Sequence, residues 1–376
     1  MTDLERILPL WRELETAEAD YVLATVVAVQ GSSYRRPGAV MLLAPDGRRA
    51  GTVSGGCLEA QVASRAWWLT AHGPCVQRYS TNEEDGDRPF GSGCGGVVSL
   101  LLERRSTAHP LLKALEEAFE QRTPLAVATI LEGEHVGRRA FAGLEFEPAK
   151  PDQALDTPLQ EFAERALASR RSIAELSIGG MKAEVWANFR PARHGLWIFG
   201  AGDDALPMLR MAKELGWWVA VADGRSQLAT CERFPLADEI RVLRLGDLAE
   251  IQAGNLLSGS PSALGSLHPQ DAAAVMTHSF EQDARILAAL MALEAPPAYI
   301  GVLGPQRRTR ELLASTACAN NAQVERGLSQ LHAPMGLDLG SESPETIAFS
   351  VLAEIQKSLA ASTGLPLREV RGGVRV

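Results

Sequence analysis

The stretch from Leu196 to Asp223 constrains this chain most. It runs Leu-Trp-Ile-Phe, then Gly200-Ala-Gly202-Asp-Asp-Ala205, then an amphipathic segment to Gly216, then Trp-Trp-Val-Ala-Val-Ala and Asp223. The short apolar run before the glycines reads as a buried strand. Ala205, Met208, Leu209, Ala212 and Leu215 recur at helical spacing, and Gly216 stands where a helix stops. A second apolar run ends at Asp223, 21 residues beyond Gly202. Strand, Gly-x-Gly-x-x-Ala turn, helix, strand and acid, in that order, predict a Rossmann-like unit.

The chemistry of the turn explains its glycines. Gly200 permits a sharp turn, Gly202 lets a phosphate reach backbone N–H groups, and Ala205 lets helix and strand pack closely. The helix N-terminus then faces an anion with its partial positive charge. Asp203 or Asp204 is expected to cap that helix, with Pro207 tolerated in its first turn. Downstream, strands end at Thr277-His278 and at Gly304-Pro305, and Arg307, Arg308 and Arg310 open a further helix. In an alternating strand–helix chain, ligands lie at the carboxyl ends of the parallel strands. Gly202, Asp223, His278 and Gly304 all fall at such ends.

The front half has a different texture. An amphipathic helix over residues 4–17 carries Leu4, Ile7, Leu8, Trp11 and Leu14 on one face, with Pro9 expected to bend it or shift its start. Short strands follow at 21–29, 40–43 and 50–53. Between the first two lies a cationic turn containing Arg35 and Arg36. Ser54-Gly55-Gly56-Cys57-Leu58-Glu59 then leads into a helix, placing Cys57 in the first helical turn, where the dipole lowers a thiol pKa. A second cysteine, Cys94, stands among Gly91, Gly93, Gly95 and Gly96, just ahead of a strand. Two loops converging on a ligand fit this pattern; so do a buried thiol in a tight turn and glycines that serve hairpin geometry alone.

The chain reads as a mixed α+β domain over 1–146, a linker, helix and hairpin over 147–190, and a doubly wound parallel-sheet domain over 191–376. A net charge of −9 disfavours a nucleic-acid partner, and no apolar run reaches the length of a membrane span. Five cysteines with no Cys-x-x-Cys pair argue against a disulfide framework or zinc site. The acidic start, Met-Thr-Asp-Leu-Glu-Arg, does not read as an export signal, so the expected compartment is the cytoplasm.

Five motifs together resemble the XdhC/CoxI family of accessory proteins for molybdenum hydroxylases. They are Gly31-Ser-Ser-Tyr-Arg-Arg-Pro-Gly38, Gly51-Thr-Val-Ser-Gly-Gly-Cys-Leu-Glu59, Gly93-Cys-Gly-Gly96, Phe199-Gly-Ala-Gly-Asp-Asp-Ala205 and Tyr299-Ile-Gly-Val-Leu-Gly304. The tail His332-Ala-Pro-Met-Gly-Leu-Asp-Leu-Gly340 with Pro344-Glu345 also fits. Departures from the family pattern are Ser33-Tyr34, His278-Ser279 and Pro305-Gln306. The resemblance implies a cytoplasmic homodimer that binds molybdenum cofactor (molybdopterin). It also implies support for cofactor sulfuration with a cysteine desulfurase, and delivery to a xanthine dehydrogenase-type enzyme.

The needs of such a cofactor match residue types. Its phosphate wants backbone N–H groups and cations, which the Gly200–Ala205 turn and Arg35, Arg36, Arg307 or Arg308 offer. Its soft molybdenum–sulfur centre suits thiolates, so Cys57 and Cys94 are the candidate metal contacts, with Gly55 and Gly56 beside them. His278 can bond a phosphate or act as acid or base. Asp223 suits the ribose of a dinucleotide. Two functions stay open: a carrier holding molybdenum cofactor between its lobes, with no turnover of its own, and an NAD(P)-dependent oxidoreductase. The second lacks a convincing catalytic constellation.

Overall fold

In a computed structural model, residues 2–31, 33–56, 58–80, 96–144, 153–243, 246, 264–316 and 327–370 are described. They form two compact units, Met1–Arg193 and His194–Val376.

The first unit opens with α1 (Asp3–Thr16), fastened by a reciprocal cap in which Thr2 Oγ1 accepts from the Glu5 amide while Glu5 accepts from the Thr2 amide. The helix continues through Pro9 without shifting its start. The cap and the burial of Ile7, Leu8, Trp11 and Leu14 offset the lost backbone bond. Strands β1 (Val22–Gln30), β2 (Val40–Leu43), β3 (Arg49–Gly51), β4 (Cys75–Ser80) and β5 (Val97–Arg104) form an antiparallel sheet in the order β3-β2-β1-β5-β4. Alternation along β1 and β2 divides the core. Leu23, Val40 and Leu42 face α1 and α3 (Arg105–Gln121), while Val22, Ala24, Val26, Met41 and Leu43 face α2 (Glu59–Leu69).

A second antiparallel sheet, in the order β7-β6-β9-β8, completes this unit. Its strands are β6 (Leu125–Ile130), β7 (Arg139–Ala142), β8 (Ile173–Ile178) and β9 (Met181–Arg190). The helix and hairpin of the 147–190 segment are α4 (Gln153–Ser169) and β8–β9. They belong to this sheet layer, because β9 pairs with β6 and Leu159, Phe162, Ala163 and Ala166 of α4 pack on it.

The second unit is a parallel sheet in the order β12-β11-β10-β13-β14-β15. Its strands are β10 (Gly195–Phe199), β11 (Trp218–Asp223), β12 (Glu239–Val242), β13 (Ala272–Val275), β14 (Tyr299–Val302) and the two-residue β15 (Leu331–His332). Leu196, Ile198, Val219 and Val221 pack toward α5 (Ala205–Glu214) and α8 (Pro344–Leu359). Trp197, Phe199, Ala220 and Ala222 pack toward α6 (Phe280–Ala292) and α7 (Gln306–Thr316). Helices therefore cover both faces, as a doubly wound Rossmann-like sheet requires. The strand order reverses between β10 and β13, which opens a crevice at their carboxyl ends. A short α9 (Leu367–Val370) follows α8. Leu215 is exposed rather than part of the buried face of α5, since the helix ends at Glu214 and Gly216 turns away at φ +78°. Among the described residues no helix is long and apolar enough to cross a membrane.

Candidate functional site

The crevice is built from two crossing backbones. Gly200 leaves β10 at φ +132°, its amide bonded to Ala222 O of β11, and a Cβ there would lie 2.4 Å from Met276 O at the end of β13. Only glycine lets these chains approach so closely. Ala201 N is taken by the Asp223 carboxylate at 2.7 Å. The next three amides, of Gly202, Asp203 and Asp204, have no hydrogen-bond partner among the described residues. Successive free N–H groups at the head of a helix form a concave anion acceptor.

Three acids border this turn, and each holds its own base. Asp203 pairs with Arg233. Asp223 is fully buried and takes the Arg225 amide at 2.8 Å and its guanidinium at 2.8 and 3.0 Å. Burial favours the neutral acid there, yet the bonds from Arg225 and the Ala201 amide outweigh it and hold the Asp223 carboxyl below its ordinary range. Asp223 therefore fastens the turn, with its carboxylate already engaged. Asp204 occupies the cap position of α5 but makes no cap bond, contrary to expectation, and Asp203 does not cap either. The Asp204 carboxylate instead reaches His278 Nε2 at 2.9 Å.

His278 sits at φ +62°, unusual for a non-glycine residue. Its segment is pinned from below. Asp283, 1% exposed, accepts from Thr277 N at 3.1 Å, Thr277 Oγ1 at 2.5 Å and Arg308 at 2.7 Å. Arg308 is thus committed to Asp283, and the exposed Arg307 pairs with Glu311 at 3.0 Å. Gly304 ends the β14 turn at φ +124° against the Arg308 side chain. Gly200, Gly202, Asp223 and His278 are brought together at one end of one sheet. The residues the sequence reading missed are Asp204 as partner of His278, Arg225, Arg233 and Asp283. Asp204 and His278 stand 74 residues apart, so no local pattern announces them.

In the first unit, Cys57 and Cys94 lie outside the described residues; the residues on either side of Cys57 are described. The helix α2 begins at Glu59, and Glu59 is the fastening of the loop before it. Its buried carboxylate accepts from Val53 N at 3.2 Å, Ser54 N at 2.9 Å and Ser54 Oγ at 2.6 Å. Ser54 Oγ in turn accepts from Gly56 N and Leu58 N, both at 3.1 Å, the amides on either side of position 57. Gly56 takes φ +114°, and Gly55 lies under the exposed Tyr34 ring. Arg35 pairs with Asp3, whereas exposed Arg36 has no side-chain partner among the described residues. Cys75 is half-buried, with its thiol pushed up by burial, and Cys231 is exposed. Among the described residues no cluster of His, Cys, Asp and Glu could hold a metal ion.

Burial pulls the Glu59 carboxyl upward, but its hydrogen bonds from Ser54, Val53 and its own amide dominate and lower it. Its folded pKa lies below the unfolded one, so its stabilisation is complete above the ordinary carboxylate range and is lost as pH falls through the lowered value. Glu59→Ala leaves buried donors unpaired and is expected to cost about 1–3 kcal/mol at pH 7 in urea unfolding. The gap to the parent protein should narrow as pH is taken below about 4. A gap that stays constant with pH would show that the carboxylate charge is not what holds the loop.

An open groove elsewhere in the first unit is lined by Asp20, Thr70, Arg104, Arg105 and His109. Its charges are spent on each other: Arg104 on Asp20 at 2.6 Å, Arg105 on Glu15 at 2.8 Å. It is less suited to a ligand than the crevice.

Two family models match the chain: the XdhC and CoxI family over residues 14–80 and the XdhC Rossmann domain over residues 196–355. The chain is 29% identical over 359 residues to a protein of Bacillus subtilis (strain 168) named as a probable xanthine dehydrogenase subunit, covering 90% of this chain and 93% of that one. It is 25% identical over 343 residues to the molybdenum cofactor insertion chaperone PaoD of Escherichia coli (strain K12), covering 89% and 82%. A crystal structure described as a xanthine dehydrogenase from Bacillus halodurans superposes with a TM-score of 0.71 at 28% identity, covering 98% of this chain and 99% of that chain.

Proposed function

The chain belongs to the XdhC and CoxI family, and on that premise we propose that it binds molybdenum cofactor, supports its sulfuration and inserts it into a xanthine dehydrogenase-type molybdenum hydroxylase. The names of its relatives, one for a xanthine dehydrogenase component and one for a cofactor insertion chaperone, support a maturation role. The observation that carries the binding step is the turn after β10. Three consecutive amides from Gly202 to Asp204 stand without partners among the described residues, in a turn whose close crossing with the end of β13 Gly200 permits. A phosphate such as the one on the pterin cofactor is the group this arrangement accepts.

In this reading Gly202 and the two amides after it receive the phosphate, Gly200 gives the turn its shape, Asp223 keeps it through Ala201, and His278 borders the ligand. On the first unit, taken by itself, Arg36 is the proposed cation and Cys57 and Cys94 the proposed thiolates for molybdenum, with Gly55 and Gly56 giving the loop its bend. When bound, the cofactor supplies the molybdenum–dithiolene centre; the chain's own residues hold its phosphate. A cysteine desulfurase is the proposed sulfur donor, a homodimer the proposed assembly and the cytoplasm the proposed compartment. A dinucleotide is disfavoured, because the carboxylate that would take a ribose is committed to Ala201 and Arg225.

Equilibrium binding by the purified protein tests this. Molybdenum cofactor is expected to stay with the protein through gel filtration and to be lost from the Cys57→Ala, Cys94→Ala double variant. NADH binding with no retention of molybdenum cofactor would overturn the proposal.

A further inference from the structure

Arg190, the last residue of β9, is half-buried and pairs with no acid among the described residues. Its guanidinium makes one hydrogen bond there, to Gly38 O, and burial pulls its pKa down to about 10. Nearby arginines are balanced: Arg35 pairs with Asp3, and Arg193 with Glu5 at 2.9 Å. A desolvated cation without a counter-charge costs stability, and side chains so perturbed gather at functional sites. A second unspent donor lies on the same strand. Asn188 and Arg190, two apart on β9, share a sheet face opposite Val127 and Leu125 of β6, which belong to the core packed with α1 and α3. Asn188 is 8% exposed. Its Oδ1 accepts from Ser172 Oγ at 3.3 Å, while its Nδ2 has no partner among the described residues. That Nδ2 lies 2.9 Å from where a Cβ on Gly38 would stand, and Gly38 turns at φ +97°, so glycine alone leaves room for the amide. Gly38 belongs to the turn that opens at Arg36, whose carbonyl takes the Ala39 amide at 3.1 Å. The exposed Arg36 side chain is likewise unpaired among the described residues.

We propose that Arg190, Asn188 and Arg36 form an oxoanion site around Gly38 in the first unit, suited to a dianionic phosphate group such as that of a phosphate monoester. Arg190 has donors to spare after its bond to Gly38 O, in a planar fork that matches oxoanions bidentately. Asn188 Nδ2 adds a neutral donor from the same strand face, and Arg36 adds the second positive charge. The charge count selects the ligand: two unbalanced cations match a dianion, whereas a single carboxylate leaves one of them over. The acids that could compete, Asp3 and Glu5, are already spent on Arg35 and Arg193. Binding makes hydrogen bonds and no covalent bond. The site shares no residue with the turn after β10. Only the part given to Arg36 rests on the proposed function; the pairing of Arg190 with Asn188 stands without it.

Inorganic phosphate is the probe, titrated calorimetrically into the full-length protein at constant ionic strength. The parent is expected to bind it, and Arg190→Met to lose about tenfold or more in affinity at one site per chain. Any phosphate held by the turn after β10 remains in both. Arg190→Lys, which keeps the charge without the fork, should fall between them. Thermal unfolding separates a ligand site from a structural brace. Without phosphate, Arg190→Met should melt no lower than the parent, because it removes an unbalanced buried charge. Added phosphate should then raise the melting temperature of the parent more than that of the variant. Arg36→Gln, at an exposed position, should also weaken phosphate binding, and it keeps the test open if Arg190→Met does not fold. No phosphate binding by the parent, binding by Arg190→Met and Arg36→Gln equal to the parent's, or equal affinity of the parent for acetate overturns the inference. The probe is not molybdenum cofactor, so failure here leaves the carrier proposal to its own test.

Discussion

Arg139→Met should destabilise the first unit by about 3–5 kcal/mol, because it strands a carboxylate in the core. Glu103 on β5 is fully buried and Arg139 on β7 is 5% exposed, at 2.5 Å, so the pair joins the two sheets of that unit. Arg139 also donates to Thr107 O at 2.9 Å. Burial raises the Glu103 carboxyl above its usual range even with Arg139 opposing it. Without the guanidinium, the acid folds at neutral pH only by taking a proton, which costs stability. Such a raised group is least costly when acid, so the deficit should shrink as pH falls toward the ordinary carboxylate range. Replacing both residues by apolar ones of similar volume, Glu103→Leu with Arg139→Met, should recover most of the loss. Urea unfolding of the two single variants and the double variant closes the cycle. Additive losses in the double variant would mean that the pair is not coupled.

Gly200→Ala carries the second large effect, and it falls on the site. The residue would be forced to keep φ +132°, with its Cβ 2.4 Å from Met276 O and 2.8 Å from Met276 C. These neighbours are backbone, so the ends of β10 and β13 must part. Strain of about 1–3 kcal/mol and overpacking of about 1–3 kcal/mol both apply. The free amides after Gly200 then lose their register, and anion binding should be lost in whatever fraction folds. Gly202→Ala makes the control. There the obstacle is the Asp204 side chain, 2.5 Å from the added Cβ, which can swing aside. That variant should keep its stability within about 1 kcal/mol yet separate Asp204 from His278. Thermal unfolding distinguishes the two; equal losses would refute the close crossing of the backbones as the reason for Gly200.

The second unit was legible because its signals are local. A four-residue apolar strand, two glycines, a helical repeat and a terminal acid lie within one short stretch, and the family motifs repeat that information. Ser343 and Pro344 mark the start of α8 for the same reason, through a cap that needs only adjacent residues. What stayed hidden was set by pairing across distance. Asp204 looked like a helix cap until His278, from a different strand end, took its carboxylate. Asp223 looked like a ligand for ribose until Ala201 and Arg225 filled its lone pairs. Glu59 stood inside a recognised motif with no role assigned, because its partners are backbone amides that carry no side-chain signature. The two-residue β15 was missed because its apolar content is too brief to show a period. Pro9 does not break α1, since a strong cap and a buried face override one missing bond.

The carrier account is tested most directly by delivery. Purified protein loaded with molybdenum cofactor is mixed with a cofactor-free xanthine dehydrogenase-type hydroxylase, and the appearance of hydroxylase activity is followed against free cofactor at equal concentration. The account predicts faster and more complete activation from the loaded protein, and loss of that advantage in the Cys57→Ala, Cys94→Ala double variant. Activation no better than with free cofactor, by a protein shown to be folded and loaded, would contradict it.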